Sequence, residues 1–166
     1  MIIARRHVKR TLHYMVRHDV GEPHCANTKF RVVAYSKDLH HKTIRHLYSR
    51  SFGSAVWPSD WDQFDEFDAN GAFVAVQRHS GTAVGFVLSF CHVDLGYISV
   101  VAVIPECQRQ GVGTAVVSAA IRYLHSLRLS SVSVHAYADS LPAVALYEKM
   151  GFAIESSSEE ESEATG

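Results

Sequence analysis

Cysteine is scarce in this sequence, and the few cysteines present are not paired. Only Cys25, Cys91 and Cys107 occur, an odd number without a CxxC spacing. This pattern argues against a disulfide framework or a thiolate zinc site and indicates a reducing compartment. The eleven histidines show no HxxxH or other tight ligand spacing, so we expect no metal site.

Long apolar runs are also missing. No run reaches the roughly 18 residues that a membrane span requires, and no signal-peptide core is visible. We therefore expect no membrane partner and a cytoplasmic location. Residues 1–18 are basic and free of acidic residues, and their apolar residues Val8, Leu12, Met15 and Val16 fall at helical spacing. This leaves a mitochondrial presequence open beside the ordinary N-terminal extension that we favour.

Charge of one sign is not in excess, because the formal net charge is only -1 over 166 residues. Nucleic acid is therefore not expected as the main partner, although binding through the basic N-terminus stays an alternative. Hydrophobic residues make up 47% of the chain, enough for one core. We expect a basic N-terminal extension at residues 1–29, a folded domain at 30–155 and an acidic, disordered tail at 156–166.

The hydrophobic pattern predicts a mixed α/β fold. Apolar runs predict strands near residues 30–35, 72–78, 82–90, 97–104, 131–136 and from 152, and the 3.6-residue period predicts helices near 38–52, 59–67, 111–127 and 141–150. The run at 97–104 is almost continuously apolar, as expected for a central strand covered on both faces. This order of elements is typical of a mixed sheet with helices on its faces.

A short glycine-containing loop joins the central strand to the next helix. Gly111 and Gly113 allow the backbone to curl, so that successive N–H groups point at one anion. The helix N-terminus adds a partial positive charge, and Arg109 adds a full one. The loop matches neither the P-loop nor the dinucleotide fingerprint. It predicts a pyrophosphate site, and the alternative is that the glycines only permit close packing of helix and strand.

Two segments resemble the GCN5-related N-acetyltransferases (GNAT). Gln108-Arg109-Gln110-Gly111-Val112-Gly113 resembles their acetyl-CoA signature, and Leu146-Tyr147-Glu148-Lys149 followed by Gly151-Phe152 resembles a second family feature. The resemblance covers about residues 30–152. It implies a GNAT fold, in which the two central parallel strands splay apart, and acetyl-CoA as co-substrate. The cofactor-binding residues that it implies are Val101, Val103, Gln108, Arg109, Gln110, Gly111, Val112, Gly113, Thr114 and Ser140.

The chain departs from the family pattern at two places. Ser140 stands where the family usually has asparagine, so this contact to the cofactor is expected to be weak or absent. The family also closes its sheet with two strands after the Gly-Phe pair, and here few residues follow Phe152. The substrate side is therefore expected to be open, or completed either by the N-terminal residues or by another subunit, as in a homodimer.

The resemblance implies roles for three catalytic residues. Tyr147 is placed to protonate the leaving thiolate, and Tyr97 with His135 resembles the pair with which certain protein N-terminal acetyltransferases deprotonate the amine. The structural alternatives are a packing ring at Tyr147 and a strand histidine beside an edge aromatic. The implied reaction transfers acetyl from acetyl-CoA to a primary amine (a peptide N-terminus, a lysine or a small molecule) by direct attack; a non-catalytic acyl-CoA-binding module is the alternative.

An acidic cluster accompanies the two tryptophans of the chain. In the family this region often borders the acceptor site, where it would attract a cationic amine, whereas an ordinary solvated helix face is the interpretation we favour. The cluster comprises Asp60, Asp62, Asp65, Glu66 and Asp68, near Trp57 and Trp61.

Overall fold

The computed structural model describes residues 6–18, 29–53, 57–58 and 69–164. Over these ranges the mixed α/β fold is confirmed. The helix predicted near 59–67 and the acidic cluster on it lie outside the described residues. The elements are β1 (Arg6–Arg17), β2 (Phe30–Ala34), α1 (Lys37–Ser51), β3 (Ala72–Gln77), β4 (Ala83–His92), β5 (Leu95–Val103), α2 (Val112–Ser126), β6 (Ser131–Tyr137), α3 (Leu141–Lys149) and β7 (Ala153–Ala164).

The seven strands form one sheet in the order β2-β3-β4-β5-β6-β1-β7. β5 and β6 are parallel, whereas every other neighbouring pair is antiparallel. The parallel pairing runs only from Leu95↔Ser131 to Ile98↔Val134, although β5 continues to Val103 and β6 to Tyr137. The two central strands therefore separate after Ile98, which confirms the predicted splay.

Helices cover the two faces of the sheet because both faces of its centre are apolar. α2 buries Val116, Val117, Ala120, Ile121 and Leu124 on one side. It packs so closely that a Cβ on Gly96 of β5 would lie 3.0 Å from Leu124. α1 covers the opposite face, where Trp57 contacts Phe86 of β4 with ring centroids 6.3 Å apart.

A β-bulge in β5 marks the point where the splay begins. Ile98 pairs with Ser89 and Val100 pairs with Leu88, which leaves Ser99 as the extra residue. The Ser99 hydroxyl donates to the Leu88 carbonyl at 3.1 Å. A bulge bends its strand and re-aims the side chains that follow it. Tyr97 therefore faces α1, whereas Val101 and Val103 face α2.

Within the predicted extension at 1–29, residues 6–17 are neither outside the sheet nor helical. They form β1, a strand between β6 and β7 that buries Met15 and Val16 completely or nearly so. Of the alternatives for completing the sheet, the N-terminal segment is the one observed. Helical spacing was misleading here because apolar side chains on both faces of a strand also satisfy it.

The prediction of a disordered tail is wrong for residues 156–164, which belong to β7. A serine- and glutamate-rich run lacks the apolar residues that would order it alone. Here it pairs with the basic strand β1, and the cross-strand neighbours include Lys9↔Glu161 and Arg10↔Glu160. Opposite charges on facing strands stabilise the pairing.

Candidate active site

A cavity of about 590 Å³ lies where the end of β5, the N-terminus of α2 and α3 meet. Tyr147 lines it, whereas Tyr97 and His135 do not. Gln110 and Val112 are also absent from its lining: the Gln110 amide donates to the Glu106 carbonyl at 2.9 Å, and Val112 is buried in the core. The other predicted cofactor residues all line the cavity: Val101, Val103, Gln108, Arg109, Gly111, Gly113, Thr114 and Ser140.

The loop before α2 has the shape of an anion-binding nest. Arg109 and Gly111 both adopt positive φ, 61° and 84°, so the main chain curls at two nearby positions. The first intrahelical bond runs from the Ala115 N–H to the Gly111 carbonyl at 3.0 Å. The preceding amides of this first turn therefore have no intrahelical acceptor and can bind an anion at the positive end of the helix.

The two glycines of the loop have different roles. Gly111 is required by its conformation, because positive φ costs a residue with a Cβ about 1–2 kcal/mol. Gly113 packs closely against α3, since a Cβ there would lie 3.1 Å from a terminal methyl group of Leu146, which would have to shift slightly. This close neighbour is a helix and not the strand that the packing alternative names, and the curled backbone depends on Gly111.

The end of β5 presents an unpaired edge to the splay. The Ile104 N–H donates to the Val84 carbonyl at 3.0 Å, so alternation turns the main-chain groups of Val101 and Val103 away from β4. The Val103 carbonyl accepts a 3.0 Å hydrogen bond from the Gln108 side chain, which fixes the loop to the strand end. The remaining groups of this edge can pair with an extended ligand as an added strand would.

Tyr147 projects from α3 into the same cavity. Its side chain is only 5% exposed and its ring packs against Phe152 at 5.7 Å. Burial raises the pKa of Tyr147 well above the ordinary value for a phenol, and the neighbouring Tyr97 raises this pKa further. The Tyr147 hydroxyl is therefore protonated throughout the physiological pH range, as a proton donor must be.

Tyr97 and His135 are brought together on the face of the sheet that α1 covers. The Tyr97 hydroxyl and His135 Nδ1 form a hydrogen bond of 2.6 Å, whose donor depends on the imidazole tautomer. Burial raises the pKa of Tyr97, and Tyr14 raises it further, so this hydroxyl also stays protonated near neutral pH. His135 is exposed, so its ring is accessible from solvent.

Two residues of β1, which lie outside the matched family segments, also belong to the site. Tyr14 packs beside His135, with ring centroids 5.2 Å apart and ring planes tilted by 44°. Arg10 binds Asp139 through two hydrogen bonds of 2.6 and 3.0 Å and lowers the pKa of that carboxyl. Asp139 precedes Ser140, whose side chain lines the cavity without capping α3. No local pattern indicates these contacts, because they depend on the long-range pairing of β1.

Two other features were sought in the described ranges: a metal site and a membrane-spanning helix. No group of three or more His, Cys, Asp or Glu side chains there is arranged to hold a metal ion. No helix there combines the length and apolar character needed to cross a membrane.

The splayed parallel pair, with the helix N-terminus beside it, defines the class of fold: that of the GNAT acetyltransferases. A GNAT protein from Sphaerobacter thermophilus superposes on 95% of this chain, and on 53% of its own, with a TM-score of 0.79 at 18% identity. The Escherichia coli ribosomal-protein-S18-alanine N-acetyltransferase superposes on 75% of this chain and 77% of its own, with a TM-score of 0.64 at 21% identity.

Sequence comparison agrees with this class. Residues 41–152 match the profile of the Acetyltransferase (GNAT) family, and the chain belongs to that family. A mycothiol acetyltransferase from Pseudarthrobacter chlorophenolicus is 38% identical over 94 residues, which cover 53% of this chain and 29% of the relative. The chain thus matches less than a third of the length of this relative.

Proposed function

We propose that this protein is an acetyl-CoA-dependent N-acetyltransferase that acts on a primary amine by direct attack on the thioester. The observation that carries the proposal is one continuous cavity with an anion nest at Arg109–Gly111 and a protonated phenol, Tyr147, in its wall. Acetyl-CoA fits these two features, because its pyrophosphate and its thioester are the two ends of the extended pantetheine arm.

The residues present fit the pyrophosphate and the pantetheine arm of coenzyme A. The nest and the amides of Val112, Gly113 and Thr114 would hold the pyrophosphate, with Arg109 at the rim. The edge at Val101 and Val103 would pair with the amides of the pantetheine arm. Ser140 replaces the family asparagine, and its hydroxyl makes no cap bond that would compete for the cofactor.

The chemistry requires a base on one side of the thioester and an acid on the other. The bond between the amine nitrogen and the acetyl carbon forms while the carbon–sulfur bond breaks. In the proposal, the Tyr97–His135 pair accepts the proton that the amine loses, directly or through water, and Tyr147 supplies a proton to the departing sulfur.

The need to deprotonate the amine before it attacks favours acceptors with a low amine pKa. A peptide α-amino group titrates near pH 8, whereas a lysine side chain titrates near 10.4, so the α-amine loses its proton far more readily. The name of the Escherichia coli neighbour points to the α-amine of an alanine, and that of the Pseudarthrobacter chlorophenolicus relative to mycothiol. We therefore propose an α-amine, or a small-molecule amine of similarly low pKa, rather than lysine. We further propose a reducing, cytoplasmic setting, because Cys91 and Cys107 are both free thiols.

The proposal is tested by a screen for thiol release from acetyl-CoA. The amines are unblocked peptides beginning with alanine, serine or methionine, together with glucosamine and cysteine methyl ester, and Nα-acetyl-lysine serves as the high-pKa comparison. We expect turnover with at least one of the peptides, glucosamine or cysteine methyl ester. This turnover should exceed the turnover with Nα-acetyl-lysine. A melting temperature raised by acetyl-CoA without turnover on any amine would instead support the non-catalytic binding module.

A further inference from the structure

A row of four rings crosses the sheet on the face that α1 covers. The row consists of Phe90 on β4, Tyr97 on β5, His135 on β6 and Tyr14 on β1. The distances between successive ring centroids are 5.1, 5.7 and 5.2 Å. Three of these strands belong to the segment that matches the family. The fourth ring comes from the N-terminal strand, so the row is complete only when β1 is paired with β6.

The register of β1 places Tyr14 directly opposite His135. On its other side, Tyr14 pairs with Ser156 while Met15 pairs with Ile154, so Glu155 is an extra residue in β7. A bulge at this position bends the ribbon locally and re-aims the side chains beside it. The backbone thus fixes where the Tyr14 ring lies relative to the imidazole.

His135 needs such support because it is exposed where the splay begins. Its Nδ1 is engaged by the Tyr97 hydroxyl, which leaves Nε2 as the nitrogen available to an acceptor amine or a bridging water. The Tyr97 and Tyr14 rings stand on two sides of the imidazole, tilted by 61° and 44° to it. In the described ranges the Tyr14 hydroxyl makes no hydrogen bond, so its contact to His135 is made by the ring.

We propose that Tyr14 is a positioning residue, whose ring holds the His135 imidazole so that Nδ1 stays on Tyr97 and Nε2 faces the acceptor. The proposal rests on the proposed function, because it assigns Tyr14 a part in the same proton transfer. It makes the N-terminal strand a contributor to the active site as well as to the sheet. Because the contact to His135 is made by the ring and the hydroxyl makes no hydrogen bond to the imidazole, phenylalanine should replace Tyr14 and leucine should not.

The kinetic test compares Tyr14→Phe and Tyr14→Leu, with Leu12→Ala as the matched control on the same strand face, two residues away. The acceptor is the amine of highest turnover in the screen described above. Tyr14→Phe and Leu12→Ala should keep kcat within about twofold, whereas Tyr14→Leu should lower kcat roughly tenfold through misplacement of the base. The KM for acetyl-CoA should change less than about twofold in all three. A loss of kcat in Tyr14→Phe, or none in Tyr14→Leu, overturns the proposal.

A second measurement does not depend on turnover. Nitrogen-15 NMR of the His135 ring in the folded protein reports which nitrogen carries the proton. The wild type and Tyr14→Phe should show one dominant tautomer, and Tyr14→Leu should show a mixture of the two. Equal tautomer populations in Tyr14→Leu and wild type refute positioning by Tyr14 even if acetyl transfer is intact. Conversely, the protein could show the expected tautomer populations and yet turn over no amine. That outcome would contradict the proposed function and still support the positioning of His135 by Tyr14.

Discussion

Two tyrosines of the site, Tyr147 and Tyr97, are close enough for Tyr97 to raise the pKa of Tyr147. Each is buried enough to have a raised pKa, and Tyr97 contributes to the shift at Tyr147. Two phenols that are both held neutral can act as hydrogen-bond donors without repelling each other. The two tyrosines therefore have different positions: Tyr147 lies in the wall of the cavity, whereas Tyr97 lies outside it and is hydrogen-bonded to the His135 imidazole.

Tyr147→Phe should lower turnover more than cofactor binding. The substitution removes the proton donor and keeps the buried ring that packs on Phe152. We expect kcat to fall about 10- to 100-fold, while the melting shift caused by acetyl-CoA is retained. Tyr137→Phe is the matched control, because it removes a hydroxyl that donates to Glu160 instead of lining the cavity. Unchanged kcat in Tyr147→Phe would leave Tyr147 as a packing residue only.

The same phenol predicts a change in stability at alkaline pH. Below pH 10 both the folded and the unfolded protein keep the Tyr147 proton, so its shift contributes nothing to the pH dependence. Above pH 10.0, the ordinary pKa of tyrosine, the unfolded chain loses this proton while the folded protein still binds it. Deprotonation then favours unfolding, and stability falls as pH rises.

Urea unfolding at pH 8 and pH 10.5 measures this effect. The wild type should lose more free energy of unfolding between the two pH values than Tyr147→Phe does. Tyr97 and Tyr48, whose pKa values burial also raises, are present in both proteins and cancel in the comparison. An equal loss in the two proteins would show that Tyr147 ionises as readily in the folded state as in the unfolded chain.

At the scale of elements, the junction between β5 and α2 carries the cofactor site, and Gly111→Ala tests it. Positive φ at Gly111 makes any Cβ unfavourable, and relaxation of this strain would flatten the nest. We expect a destabilisation of about 1–2 kcal/mol and loss of most of the acetyl-CoA melting shift.

Gly81→Ala provides the control for backbone strain. Gly81 also has positive φ, 71°, but it lies in the β3–β4 hairpin, where a Cβ would meet nothing within 4 Å. This variant should be destabilised to a similar extent and yet keep the full acetyl-CoA shift. If both variants lose the shift, or neither does, the nest is not the site of pyrophosphate binding.

The elements between β2 and α3 were predictable because neighbouring residues determine them. The apolar run at 97–104 predicts β5, the period of 3.6 predicts α2, and the two glycines predict the junction between them. The parallel order then brings Tyr97 and His135 to adjacent strands. The sequence alone does not predict their hydrogen bond, because the bulge at Ser99 and the end of the pairing at Ile98 decide which face of the sheet each side chain occupies.

β1 and β7 were not predictable in the same way, because each depends on a partner at the other end of the chain. The serine and glutamate residues of β7 look disordered when they are considered alone. Only the facing basic strand supplies the charge and the main-chain partners that order them. The same long-range pairing hid Tyr14 and Arg10, whose contacts to His135 and Asp139 follow from the register of β1.

At the scale of the whole molecule, β1 is an integral strand of the sheet, and its loss should lower the stability of the whole fold. It pairs with β6 on one side and β7 on the other, and its Met15 side chain is fully buried. A test of nucleic-acid binding by deletion of residues 1–18 would therefore remove an interior strand along with the basic charge. Point substitutions within β1 separate these two effects.

Met15→Ala should destabilise the protein by about 2–5 kcal/mol, because it removes a fully buried side chain from the sheet core. Thr11→Ala, an exposed position on the same strand, should change stability by less than about 0.5 kcal/mol. Urea unfolding followed by circular dichroism measures both, and a single transition in Met15→Ala is expected because β1 shares the core with β6. A separate early transition would instead mean that β1 and β7 detach as a unit. In that case the segment from β2 to α3 would fold without them, and the acetyl-CoA melting shift would survive the loss of β1.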